Sequence, residues 1–576
     1  MKTRRRRDLA LIAVVASAAA LGGMGSGCSS KNTSGSSGGG GQGGSSSGTS
    51  TGGGGEGGDF IGSGPNPDGP FADFPADAQI DPTLSSDVVT LFESNPGGAP
   101  GGPCLAEPPL EALVPTNWTP LRFEWVPPPG LNVFELKLRV ENQTNELKIY
   151  TPQPLYTIPA EIWSQLTMHS AGRDVHVSLR GAQIEAGQIV AGPLMGAEGV
   201  VHIAPVAAPG AIVYWTSSGG TALKGFAIGD TNVKTVIEPK PVSADTGCVS
   251  CHTSSPDGAL SFFTHDRPGI RAVTARKVDG TVGAPSEMQV SATALALLGR
   301  DHQAAPTLSS GHYTQNDAAA ITVFVDPAVP GSQYQLVWTD LHATDPNTGW
   351  GVLPRAGDPR QPASPTWWHD GSTIAYTSSI GSGEGVISSI TDADTAMDIY
   401  TVPYNNRQGG QAVPLPGASD PGYLEYYPVI SPNDTLLAFN RFAPYKVNGV
   451  AWADSYDEPN AEVFVVRATG GEAVRVAAND PPACVGRPSP GITNSWPRWA
   501  PSAEVSNGKK YYWLTFSSKR RDGVTPQLFV SGVVTRFENG GEVIDATYPA
   551  VYVTSQVAQE NNHTPAWDVF QIKPPK

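Results

Sequence analysis

The chain reads as all-β: a six-bladed β-propeller over residues 206–576, preceded by a small β-sandwich over 108–205 and a Gly/Ser-rich N-terminal tether. Three observations predict this. The 576 residues include 66 Gly and 53 Pro and only 16% charged residues, a turn-rich composition with little room for long helices. Apolar residues alternate with polar ones at period two in run after run, which buries one face of a strand. From about residue 206 a Pro-led register recurs at blade-sized intervals.

The N-terminus comes first. Lys2 and Arg4 to Arg7 form a positive region, Leu9 to Leu21 is an apolar run, and small residues lead to Cys28, the pattern of a secretory signal over 1–27. The apolar run is too short for a comfortable membrane span. Residues 28–58 are almost wholly Gly, Ser, Thr and Gln, which cannot bury a core and act as flexible tether. A cysteine between signal and tether resembles the lipidation site of bacterial lipoproteins, although Gly25 stands where that family usually has an aliphatic residue. The resemblance implies an exported, membrane-anchored protein, periplasmic or at the cell surface, and Ser29 after the anchor favours the outer membrane. Net charge is −16, and loss of the basic leader makes the mature chain more acidic. Such a surface is repelled by nucleic acid and anionic headgroups, so membrane contact is expected through the lipid alone.

Residues 59–107 read as an irregular Pro/Gly-rich segment. In 108–205, Phe134, Leu136, Leu138 and Val140 alternate with polar residues, as do Val175, Val177 and Leu179. Trp118, Phe123, Trp125 and Trp163 are candidate core fillers, and His176 falls on a polar face. Short strands with Pro/Gly turns predict an immunoglobulin or fibronectin type III-like module serving as spacer or docking unit.

The propeller register is read in Pro306-Thr-Leu-Ser309, Pro365-Thr-Trp-Trp368, Pro428-Val-Ile-Ser431, Pro497-Arg-Trp-Ala500 and Pro565-Ala-Trp567. A second strand follows each of the first four, at Ile321 to Val325, Thr373 to Tyr376, Leu436 to Phe439 and Tyr511 to Phe516. Third strands are expected at Tyr334 to Trp338, Ile399 to Val402, Val463 to Val466 and Leu528 to Val530. The fifth copy has too little chain after it for a blade, so it is expected to pair with Ile212 to Trp215 and Leu223 to Ile228 and close the ring. Aligning Ser255-Pro256-Asp257-Gly258 with Ser431-Pro432-Asn433-Asp434 supplies a sixth copy, with His252 at the proline position. These turns and the Pro-x-Trp pattern resemble the propeller of TolB, the periplasmic Tol-Pal component, over residues 206–576. The resemblance implies fold more than function, because the lipid site, the N-terminal domain and the motif described next are not TolB features.

Cys248-Val249-Ser250-Cys251-His252 has the spacing of a c-type haem attachment site: two sulfurs reach the porphyrin vinyl groups and the adjacent His binds the iron as proximal ligand. One covalent haem c is the expected cofactor. A thioredoxin-like pair would need a βαβ setting and zinc a second ligand pair, while a local disulfide stays open. His563 and His302, close to their prolines in the blades flanking His252, are the candidate distal iron ligands, with Met288 as the alternative. Asp392, Asp394 and Asp398 lack the glycine and final glutamate of a calcium loop and read as a solvated turn. Cys104 and Cys484 are left over, either bridged in an oxidising compartment or separate thiols.

The expected function is single-electron transfer in the cell envelope, with envelope redox or scaffold proteins as partners. One alternative is a TolB-like protein-binding scaffold in which haem is structural or sensory, and another is a haem peroxidase or propeller dehydrogenase. No Gly-x-Ser-x-Gly, His-Glu-x-x-His or phosphate-binding Gly loop supports a hydrolase or nucleotide enzyme.

Overall fold

The computed structural model describes residues 69–572 apart from 219, 268–269, 279–288, 314, 316, 380–395, 448–449, 453–454 and 539. The signal, Cys28 and the tether, with Met288, Asp392 and Asp394, lie outside the described residues.

The N-terminal domain is built on a six-stranded sheet. Its order is Gln79–Ile80, Leu147–Thr151, Val133–Val140, Asp174–Glu185, Gln188–Ile203 and Leu113–Val114, with both edge strands paired in parallel. A three-stranded sheet of Cys104–Glu107, Arg122–Val126 and Leu155–Thr157 and the helix Ala160–His169 complete it. Trp118, Phe123, Trp125 and Trp163 are all buried, and the Trp163 indole donates to the Trp118 carbonyl at 2.7 Å. The parallel edges and the helix depart from the antiparallel immunoglobulin or fibronectin arrangement.

The segment expected to be irregular belongs to this domain. Phe71 bridges to Gln143, Gln79–Ile80 pairs with Ile149 and Tyr150, and the helix Val88–Ser94 buries Val88 and Phe92. A two-residue strand and a seven-residue helix are too short to show periodicity, which is why they were not expected. Alternation also breaks at Glu135, fully buried because the Arg180 guanidinium and the Tyr150 hydroxyl donate to it at 2.5 and 2.8 Å.

Beyond residue 206 the described residues form two two-stranded sheets, Arg355–Ala356 with Gly410–Gln411 and Tyr445–Val447 with Val450–Trp452, and six larger sheets that carry a propeller-type β fold. The first joins Ala211–Thr216, Ala222–Ala227 and Lys234–Ile237 to the distant strand Asn562–Asp568, with Ile212 opposite Trp567 as expected. The second is Cys248–Ser254, Leu260–Arg267 and Ile270–Lys277. The remaining four open on Gln303–Thr307, Gln361–Trp367, Leu424–Ile430 and Asn494–Trp499. All the expected second and third strands are present, a residue or more longer than read. The strands Asn562–Asp568, Cys248–Ser254, Gln303–Thr307, Gln361–Trp367, Leu424–Ile430 and Asn494–Trp499 lie each against the next, and the last against the first.

One hydrophobic core spans both domains. Leu113, Trp118 and Phe123 share it with Trp513, Leu528, Val530 and Trp567. Around it, Arg521 donates to Glu124 at 2.9 Å and the Tyr552 amide to Glu107 at 3.2 Å, while burial pushes the Glu107 carboxyl up to about 7. Cys104 is bridged to Cys484 here, with a Cα separation of 6.1 Å, inside the usual range.

Candidate functional site

The repeated prolines stand in the middle of strands, where they cannot donate to the ladder, and each is accommodated by a β-bulge. Register shifts fall between Ala304 and Thr307, Ala363 and Thr366, Tyr426 and Val429, and Ser495 and Arg498, and opposite Val213 and Trp215 in the closing strand. The residue before each proline is forced into the left-handed region: Ala305 at φ 52, Ser364 at 43, Tyr427 at 53, Trp496 at 61 and Thr564 at 39. In the second sheet the shift falls between Val249 and His252, so Cys251 holds the bulged place and His252 the proline place. Such conformations cost about 1–3 kcal/mol each and cluster at functional sites.

The residue following each proline faces one cavity. Thr253, Thr307, Thr366, Val429, Arg498 and Ala566, one from each of the six larger sheets, line a space of about 200 Å³ with His252, while the indoles of Trp367, Trp499 and Trp567 turn into three separate cores and donate to the carbonyls of Gly371, Val429 and Pro209. Neither this ring nor Arg498 was picked out by sequence reasoning. The signal was present: a proline inside an otherwise regular strand demands a bulge, and superposing the copies shows one arginine among short side chains.

The Cys-x-x-Cys-His run is distributed rather than convergent. Cys248 packs into the core between the first two sheets, with Val213, Trp215, Phe263 and Phe570. Cys251 is a free thiol that packs instead against the cluster of Tyr427, Trp496 and Met397. Burial pushes its pKa up, and the nearby Arg271 and Arg498 guanidinium groups pull it back. The His252 imidazole is buried and its Nε2–H donates to the Val213 carbonyl at 2.9 Å. Burial pushes its pKa down to about 4, so it is neutral, and its Nδ1 is enclosed without a partner. A covalent haem needs both sulfurs on one porphyrin edge and the imidazole under its iron. With the sulfurs in different clusters and the ligand nitrogen held by a carbonyl, these residues in this arrangement do not fit the group.

The proposed distal ligands are not brought to His252 either. His563 stands before the bulge of its strand, its ring 5.5 Å from that of Trp215 and 5.1 Å from that of Tyr456, and burial lowers its pKa to about 3. His302 has φ 63 at the entry of its strand, where its carbonyl accepts from Val325 at 3.3 Å. Neither lines the cavity that His252 lines. Adjacent register therefore did not give adjacent side chains, because the bulge turns successive residues to opposite sides. Asp398 is taken by Arg360 at 2.7 Å, and among the described residues no group of three or more His, Cys, Asp or Glu is placed to hold a metal ion.

No family model matches the chain, and no curated protein matches it. Among solved structures it is similar to a putative TolB from Agrobacterium tumefaciens, with 12% identity over 60% of this chain and 91% of that one and a TM-score of 0.28. It is also similar to prolyl oligopeptidase B from Galerina marginata, with 8% identity over 66% and 50% and a TM-score of 0.26. A third similarity is to Kuenenia stuttgartiensis hydrazine synthase, with 11% identity over 62% and 46% and a TM-score of 0.24.

Proposed function

We propose that the chain is an exported, lipid-anchored six-bladed propeller that acts as a binding module of the cell envelope, with the mouth cavity of its channel as the ligand site. The observation that carries this reading is the ring of Thr253, Thr307, Thr366, Val429, Arg498 and Ala566. All six sheets contribute the same register position to one cavity, beside five strained bulges. At about 200 Å³ the space is smaller than the ~300–1,000 Å³ that suits drug-sized ligands, so it takes a small molecule or one side group of a partner.

A thermal-shift panel of small acids, amines and neutral compounds on the full mature chain tests the site. Stabilisation by at least one class is expected in the native chain and not in Thr366→Trp, which fills the cavity; no stabilisation by any class overturns the reading. Fractionation tests the anchor. The native chain is expected in membranes and Cys28→Ser in the soluble exported fraction, and sedimentation of Cys28→Ser with salt-washed membranes overturns lipid anchoring.

A second reading, one covalent haem c carrying a single electron between envelope partners, is favoured by the spacing of Cys248, Cys251 and His252. It requires the run to leave its pairing with Leu260–Arg267 so that the three side chains converge. An absorption spectrum of protein made in a host competent for c-haem maturation decides it.

A further inference from the structure

Arg498 is out of pattern at the mouth. The other five sheets place Thr, Thr, Thr, Val and Ala at its position, so its side chain alone is long enough to reach across the cavity. It is also short of partners: its protein hydrogen bond runs from Nη1 to the carbonyl of its own neighbour, Pro497, at 2.9 Å. Arg441 and Arg355 rest on buried carboxylates, Glu425 at 2.6 Å and Asp358 at 2.9 Å, whereas Arg520 is held by the Ala478 carbonyl and the Asn494 amide oxygen at 2.7 and 2.9 Å. Asp568 is the carboxyl that lines the same cavity, two residues further along its strand than Ala566, and it makes no ion pair with Arg498 among the described residues. Desolvation works against the Arg498 cation, and the Cys251 thiol and the Tyr427 phenol favour it. Arg498 is half-buried and none of its nitrogens is a buried, unpartnered atom, so its fork is open to an anion entering the cavity.

We infer that the mouth cavity binds a small monocarboxylate, whose carboxylate takes the fork of Arg498 and whose body lies within the ring of Thr253, Thr307, Thr366, Val429 and Ala566. This rests on the binding-module reading above and names its ligand class. A guanidinium presents paired N–H donors that match a carboxylate, and the hydroxyls of Thr253, Thr307 and Thr366 on the same ring can turn to donate as well. One arginine, in a cavity that also carries the Asp568 carboxyl, suits a single negative charge better than a dianionic phosphate. Val429, Ala566 and the prolines Pro306, Pro365 and Pro428 offer carbon on a wall that is otherwise polar, and the volume admits a body the size of a benzene ring.

The probes are benzoate and butyrate, with benzamide, benzylamine and inorganic phosphate as controls, titrated calorimetrically into the full mature chain. Benzoate is expected to bind at least tenfold more tightly than benzamide, since a charge-assisted pair is lost in the amide. Arg498→Met should lose benzoate binding by tenfold or more while melting no lower than the native chain without ligand, because it removes an unpaired cation. Arg498→Lys, which keeps the charge and loses the fork, should fall between the two. Benzoate affinity in Arg498→Met within twofold of native, or equal binding of benzoate and benzamide, overturns the inference. Binding of benzylamine or benzamide without benzoate removes the carboxylate and leaves the binding module standing; no binding by any probe removes both.

Discussion

Loss of the Cys104–Cys484 bridge should lower the stability of the two domains together. The bridge spans 380 residues and ties the first strand of the smaller sheet to a loop between the last two propeller sheets. In the chain-entropy description, closing a loop of that length restricts the unfolded chain by about 6 kcal/mol, an upper value because residual structure and native strain reduce it. Unfolding some 500 ordered residues releases about 1 kcal/mol/K of entropy, so this becomes a fall in Tm of about 6 °C, modest because the molecule is large. Calorimetry on the native chain and on Cys104→Ser/Cys484→Ser, at a low scan rate and without reductant, measures it. The shared core of Leu113, Trp513 and Trp567 makes both domains one unfolding unit, so one transition is expected to move as a whole. Equal Tm values in the two proteins would refute the argument. So would labelling of both cysteines in the denatured, unreduced native chain.

Glu107 should make stability fall as pH rises. Its carboxyl is pushed up from an ordinary 4.5 to about 7, so the folded state binds the proton more tightly and stability is lost between those values as pH increases. Glu107→Gln, which can still accept from the Tyr552 amide, should flatten that slope in urea titrations at pH 5 to 8; an unchanged slope would assign it elsewhere. Ala305→Gly should stabilise by about 1 kcal/mol, since φ 52 suits glycine better than alanine, and a destabilised variant would mean that the bulge is not strained there. Gly258→Ala should destabilise, because at φ 72 an added Cβ would lie 1.9 Å from the Val569 carbonyl oxygen; a native-like urea midpoint would show that the segment after Asp568 is not docked on that turn. With His252 held by Val213, the chain purified from a haem-competent host should keep no Soret band after acid–acetone extraction. A retained band would show that Cys248 and Cys251 do carry haem.

Much of the propeller was legible because the same local problem is solved repeatedly. Pro365-Thr-Trp-Trp368 and Pro428-Val-Ile-Ser431 announce one strand-and-turn unit, and the shortage of chain after Pro565 called for closure through Ile212 to Trp215. The candidate site was harder to read. Arg498 sits in Trp-Pro-Arg-Trp, which looks like core with one surface residue, and it stands out only against Thr253, Thr307 and Thr366 at the same place in other sheets. The Cys248–His252 run carries a spacing that its fold does not echo. Its spacing implies convergence when the residues wind as one turn, whereas on a bulged strand Cys248 and Cys251 enter different clusters. Short elements such as Gln79–Ile80 leave no periodic trace at all.

The pairing of Ala211–Thr216 with Asn562–Asp568 also sets an order of events in folding. Ala211 to Trp215 is an unbroken apolar run, and the strand Ala211–Thr216 is buried at every residue once paired. A chain emerging from its N-terminus must carry that strand with one edge open while several hundred residues follow, and no local hairpin can relieve it. Open apolar edges recruit other chains, and contacts this distant in sequence form slowly. The first sheet is therefore the one most exposed to aggregation or capture by a chaperone during synthesis, and a chain interrupted anywhere before residue 562 would be left with that edge permanently bare.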